Sequence, residues 1–154
     1  MNKNNKLYLA YGSNLNLKQM AYRCPTAIVV GASEMKDCRL LFRGAHAGAV
    51  ATVEPFKGGS VPVLVWEVTP ADEASLDRYE GWPFLYRKET VQVKLNGKSI
   101  KAFVYIMNDG RPLGQPSSFY YTTIMEGYKD ADFDMDILRQ ATKDSVETGE
   151  TAFE

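Results

Sequence analysis

The sequence predicts a single α+β domain: a small, closed or nearly closed mixed sheet of six or seven strands with three or four short helices flanking it. Three observations lead there. Strand-like runs recur between 27 and 68 and again between 86 and 107, and helical patterns come early, mid-chain and at the end. Their order never settles into the regular alternation that a doubly wound sheet needs. No repeat, linker or low-complexity tract divides the 154 residues, which suffice for one domain with a real core, so residues 1–154 are taken as one unit.

The elements follow in order. The apolar run 7–11 reads as a strand that stops at Gly12-Ser13-Asn14. Ser13 or Asn14 can cap a short helix over 15–22, and Pro25 closes it. Strand formers return at 27–32, 39–42, 49–54 and 61–68, separated by Gly, Pro or charge. Gly58-Gly59 reads as a hairpin turn between the last two, and Pro62 is tolerable near a strand start. Thr69-Pro70-Ala71-Asp72 starts a helix, with Thr as cap, Pro at the first helical position and an acid in the first turn; Gly81 ends it. Residues 86–95 and 99–107 alternate around Asn96-Gly97, a strong hairpin signal. The rest is helical, about 118–128 and 133–144, the second behind an Asp132 cap. The polar tail beyond 147 is expected to fray.

Composition excludes several function classes. A net charge of −1, with both signs scattered, leaves no basic stripe for nucleic acid. Two cysteines outside any CxxC pair and the lone His46 cannot assemble a zinc site of usual spacing. No apolar run nears the ~20 residues of a membrane span, and no signal peptide leads the chain, so the expectation is a cytoplasmic protein with Cys24 and Cys38 reduced. The pattern carries no signal of oligomeric state.

Two stretches carry chemistry. In Tyr11-Gly12-Ser13-Asn14-Leu15 a strand runs into a glycine turn and then a helix, so backbone N–H groups can cradle a carboxylate or oxyanion. A plain capped turn would look the same. In Leu76-Asp77-Arg78-Tyr79-Glu80-Gly81-Trp82, Glu80 stands at the negative end of a helix, beside the apolar surfaces of Tyr79, Trp82 and Phe84. Both effects raise a carboxyl pKa toward the value a general acid/base needs. The bland alternative is an exposed helix-end glutamate, and Asp77 reads as surface or structural. His46, in a Gly/Ala-rich loop, reads as solvated.

Together these stretches resemble the γ-glutamylcyclotransferase family, through its YGSN-type loop (Tyr11 to Asn14) and its LD-x-x-EG glutamate (Leu76 to Gly81). Further likenesses are Gly48-Ala49-Val50-Ala51-Thr52-Val53, Val65-Trp66-Glu67-Val68, the tyrosine Tyr86 and Pro116-Ser117-Ser118-Phe119-Tyr120, in unbroken order over roughly residues 7 to 140. The resemblance implies a small mixed β-barrel and release of 5-oxoproline from γ-glutamyl amino acids, peptides or amines, with no cofactor and no metal. It makes Glu80 the acid/base, puts the backbone around Gly12, Ser13 and Asn14 on the oxyanion, with Leu15 completing the loop, and offers Tyr11, Tyr86 and Tyr120 for the glutamyl end. Arg43 and Arg87 could meet a substrate carboxylate, although surface roles suit them better. The segments 82–84 and 110–115 are expected to shape the leaving-group pocket. Two alternatives stay open: hydrolysis or transfer at a γ-glutamyl amide in the same pocket, and a non-catalytic module that binds a small acid or peptide.

Overall fold

The computed structural model of the chain describes residues 1–146, so the tail expected to fray lies outside the described residues. Five strands form one mixed sheet: β1 (Lys6–Ala10), β2 (Ile28–Arg43), β3 (Val50–Val68), β4 (Tyr86–Leu95) and β5 (Lys98–Met107). Their spatial order is β2-β3-β1-β5-β4. The first strand made is therefore the central one, antiparallel to β3 and parallel to β5. Four helices flank the sheet: α1 (Leu17–Arg23), α2 (Pro70–Glu80), α3 (Ser118–Asp130) and α4 (Met135–Asp144). Leu9, Phe42, Val63, Leu76, Ile124 and Leu138 are fully buried between them.

The strand count and the closure both differ from expectation. The four segments expected between 27 and 68 are the halves of just two strands, β2 and β3. Polar, exposed residues break the apolar pattern there, but the antiparallel ladder continues past them through bulges at Val29/Gly31 and Lys36/Cys38. Gly58-Gly59 is not a turn. It lies inside β3 opposite the second bulge, where the Gly58 N–H donates to Asp37 Oδ1 at 3.0 Å. A Cβ on Gly59 would stand 2.3 Å from the Cys38 carbonyl oxygen, so the glycine serves close approach of two backbones. The sheet is also not a closed barrel. Its edges β2 and β4 meet through the Ser33 hydroxyl donating to the Lys94 carbonyl and through Leu95 packed at Gly31, without a shared ladder.

Two helix starts move as well. Asn16, not Ser13 or Asn14, caps α1, accepting from Gln19 N at 3.1 Å, because residues 13–15 form a 3-10 turn first. Asp134, not Asp132, caps α4. Helix α2 starts as the sequence says, with a reciprocal Thr69/Asp72 capping box, and Gly81 ends it in the left-handed conformation (φ 66°). Asn96 and Gly97, both at positive φ, turn the β4–β5 hairpin.

Candidate active site

A cavity of about 250 Å³ opens where β1 ends, α2 ends and β3, β4, β5 and α3 converge. The loop after β1 makes one wall. Leu15 N bonds back to Gly12 O and Asn16 N to Ser13 O, both at 3.0 Å, which curls the backbone tightly. The N–H groups of Gly12, Ser13 and Asn14 donate no hydrogen bond among the described residues. A side chain at Gly12 would crowd this wall, since its Cβ would sit 3.2 Å from Ala51 Cβ. The loop is tied from behind: Asn16 Nδ2 donates to the Thr123 carbonyl of α3 at 3.0 Å, and Gly127 of α3 packs directly on Leu15.

Glu80 comes to the same cavity from the last turn of α2. It is half-buried, and its carboxylate makes no hydrogen bond or ion pair among the described residues. Burial pushes its carboxyl up to about 7, against the opposing pull of the Arg23 guanidinium. Of the aromatic surfaces expected around it, Tyr79 lines the cavity and the other two do not. Trp82 and Phe84 are exposed and do not line the cavity, because the chain turns away after Gly81; Trp82 lies under Lys88 Nζ, 4.2 Å from the ring centre. Beside Tyr79, the tyrosines Tyr8, Tyr11, Tyr86, Tyr105 and Tyr120 form the wall. Burial raises each of these last five phenols, and the charge of Glu80 adds to the rise in every one.

The tyrosine hydroxyls are pinned to backbone. Tyr86 donates to the Ala51 carbonyl at 2.5 Å, Tyr11 to the Tyr105 carbonyl at 2.6 Å, and Tyr120 accepts from Ala51 N at 3.0 Å. Ser117 caps α3 by accepting from Tyr120 N at 3.1 Å, which fixes where that tyrosine starts. Ser13 and Tyr79 share a hydrogen bond of 2.8 Å.

Of the sequence candidates, Tyr11, Gly12, Ser13, Asn14, Glu80, Tyr86 and Tyr120 thus meet in one cavity. Leu15 does not reach it; the side chain is fully buried against α3. Arg43 bonds Glu54 and the Arg111 carbonyl, Arg87 bonds Glu89 and the Met107 carbonyl, and neither lines the cavity. Nor do 82–84 or 110–115; Leu85 does. His46 is exposed, and its carbonyl accepts from Gln115 N at 2.9 Å. Sequence reasoning missed Tyr8, Tyr105 and Ala51. Only the pairing of β1 with strands remote in sequence gathers them, and no local pattern announces that. It also missed Arg23, which donates to Asn14 Oδ1 and stacks 3.5 Å above the centre of the Tyr79 ring. Among the described residues no cluster of three or more His, Cys, Asp or Glu could hold a metal ion. Cys24 and Cys38 are both buried and free, and no described helix is long and apolar enough to cross a membrane.

Comparison with known proteins decides the family. The family model described as gamma-glutamyl cyclotransferase, AIG2-like, matches residues 8–130. The chain belongs to that family. Gamma-glutamylcyclotransferases of Bos taurus and Homo sapiens are each 30% identical to it over 133 residues, 80% of this chain and 70% of theirs. Among solved structures, a human protein described as uncharacterized superposes with a TM-score of 0.80 at 27% identity, covering 94% of this chain and 89% of its own. A gamma-glutamyl cyclotransferase superposes at 0.76, also at 27% identity, over 93% and 88% of the two chains. Its relatives therefore share the α+β framework of this family member along nearly all of the described chain.

Proposed function

We propose that this protein is a γ-glutamylcyclotransferase that releases 5-oxoproline from a γ-glutamyl amino acid, peptide or amine. One observation carries the reading: a carboxyl raised to about 7 shares a small cavity with three backbone N–H groups that have no acceptor among the described residues. Glu80 takes a proton from the substrate's α-ammonium group. The freed amine attacks the γ-carbonyl carbon of the same molecule, and the N–H groups of Gly12, Ser13 and Asn14 receive the oxyanion. Collapse of the tetrahedral intermediate breaks the C–N bond to the leaving amine, to which Glu80 returns the proton, and the carboxylate so freed takes the second proton from the ring nitrogen, leaving a neutral lactam. No cofactor or protein nucleophile is required, since both reacting centres belong to one bound molecule. Holding that molecule folded supplies several kcal/mol of the acceleration. A pair of buried free thiols fits a reducing, cytoplasmic setting.

The relatives named gamma-glutamylcyclotransferase support the reaction class. A half-buried carboxylate lining the cavity argues against a module that only binds small acids, since it would repel them. The test is mass spectrometry of wild type and Glu80→Gln after incubation with a panel of γ-glutamyl compounds. Wild type is expected to release 5-oxoproline, and the variant to lose turnover by about three orders of magnitude. Open-chain glutamate as the product would replace cyclisation with hydrolysis, and near-normal turnover in the variant would remove Glu80 from its role.

A further inference from the structure

A cavity of about 310 Å³ lies between α4, β2 and β3 and shares no residue with the candidate active site. Its floor is apolar: Leu40 of β2 and Ala141 of α4 are buried, and Ile137 is half-buried beside them. Phe56 of β3 forms a wall. Its ring lies against Gly59, where a Cβ would stand 3.0 Å from the ring carbon Cδ2, so the glycine leaves room for it. Two charges line the same cavity without meeting each other. Arg39 is half-buried and stacks over the Phe56 ring, 5.0 Å from its centre, and its Nε is enclosed with no acceptor. The acid opposite it on the ladder, Glu54, gives both carboxylate oxygens to Arg43 instead. Asp144 of α4 is also half-buried, and its partner is a neutral donor, Gln140 Nε2 at 2.9 Å. Asp136 lines the cavity too, but its carboxylate is paired with Arg139. A half-buried guanidinium and a half-buried carboxylate without counter-ions both gain when a ligand brings the missing charges.

We propose that this groove binds a free α-amino acid with an apolar side chain. Its carboxylate pairs with the Arg39 guanidinium, its ammonium group with Asp144, and its side chain lies on Phe56, Leu40 and Ile137. The volume is that of a small-molecule site, and the lining has the usual composition of one, mostly apolar with a few placed polar groups. Charge complementarity selects the zwitterion. A plain carboxylic acid would face Asp144 with nothing to offer it, and a plain amine would face Arg39 in the same way. The site is built from residues that take no part in the proposed reaction, so it does not depend on the cyclotransferase reading.

Calorimetry with L-leucine, 4-methylpentanoate and 3-methylbutylamine tests it, since the second ligand lacks only the amine and the third only the carboxylate. Wild type is expected to bind leucine about tenfold more tightly than either. Arg39→Gln is expected to lose about tenfold in leucine affinity without weakening the amine, and Asp144→Asn to lose as much without weakening the acid. Amide spectra of wild type locate the ligand and need no variant. Resonances of 38–40 and 136–144 are expected to move on adding leucine, and those of Gly12, Ser13 and Asn14 to stay. The proposal is overturned by leucine that does not bind at about 10 mM, that binds both variants as it binds wild type, or that shifts Gly12 to Asn14 in place of the groove. If a variant does not fold, the spectra and the two comparison ligands decide the matter on wild type. Wild type that releases no 5-oxoproline defeats the cyclotransferase reading and leaves this site as it stands.

Discussion

Glu80 shows how local chemistry and remote packing combine in one side chain. Its place at the end of α2 was legible from Thr69-Pro70 at one end and Gly81 at the other, since capping and left-handed termination are local events. Its raised carboxyl was foreseen too, but for a partly mistaken reason: the desolvating surface is not Trp82 and Phe84 but tyrosines brought in by β1, β4, β5 and α3. A base must be ionised to act. The acid limb of kcat/KM is therefore expected to rise through a pH of about 7, rather than through the ordinary glutamate range near 4.5. Removing Arg23, the cation that opposes the rise, should move that limb to higher pH. A pH–rate series on wild type and Arg23→Gln checks both, and a limb unmoved in the variant would uncouple Arg23 from Glu80.

At the scale of elements, the readable parts are those whose signals are short-range. The β4–β5 hairpin and the Ser117 cap of α3 follow from a few adjacent residues. The unreadable parts depend on what lies opposite. Gly58-Gly59 looks like a turn until Asp37 and Cys38 of the neighbouring strand are placed beside it, and Asn16 looks like an ordinary residue until α3 offers it the Thr123 carbonyl. The contact of α3 with the loop after β1 is tight enough to test. An alanine Cβ at Gly127 would stand 2.5 Å from Leu15 Cβ and 2.7 Å from the Leu15 carbonyl carbon. Gly127→Ala is expected to cost about 1–3 kcal/mol by overpacking and, because it pushes on the loop that holds Gly12 to Asn14, to raise KM as well. Denaturant midpoints and steady-state kinetics read the two effects separately; a variant as stable and as active as wild type would show the contact to be slack.

For the molecule as a whole, a half-buried carboxyl is a burden on stability, and the sign follows from proton counting. The folded state holds the Glu80 proton up to a pH of about 7, whereas the unfolded chain releases it near 4.5. Stability therefore falls as pH rises between those values, and above 7 the full penalty, on the order of 3 kcal/mol, is in place. Glu80→Gln should melt higher than wild type at pH 8 and close to it at pH 4.5; thermal scans at the two values decide, and equal melting points at both would mean the carboxyl is well solvated. The mixed α+β character of the chain was legible, but its five open strands were not, because closure is settled by whether β2 and β4, some sixty residues apart, complete a ladder. The central position of β1 has a further consequence, felt while the chain is still on the ribosome. Its first partner, β3, is complete only at Val68 and its second, β5, only at Met107. The strand that leads into the site is thus the first of the five to be translated and gains its second neighbour only after Met107 has been added, so the cavity can take shape only once β5 is complete.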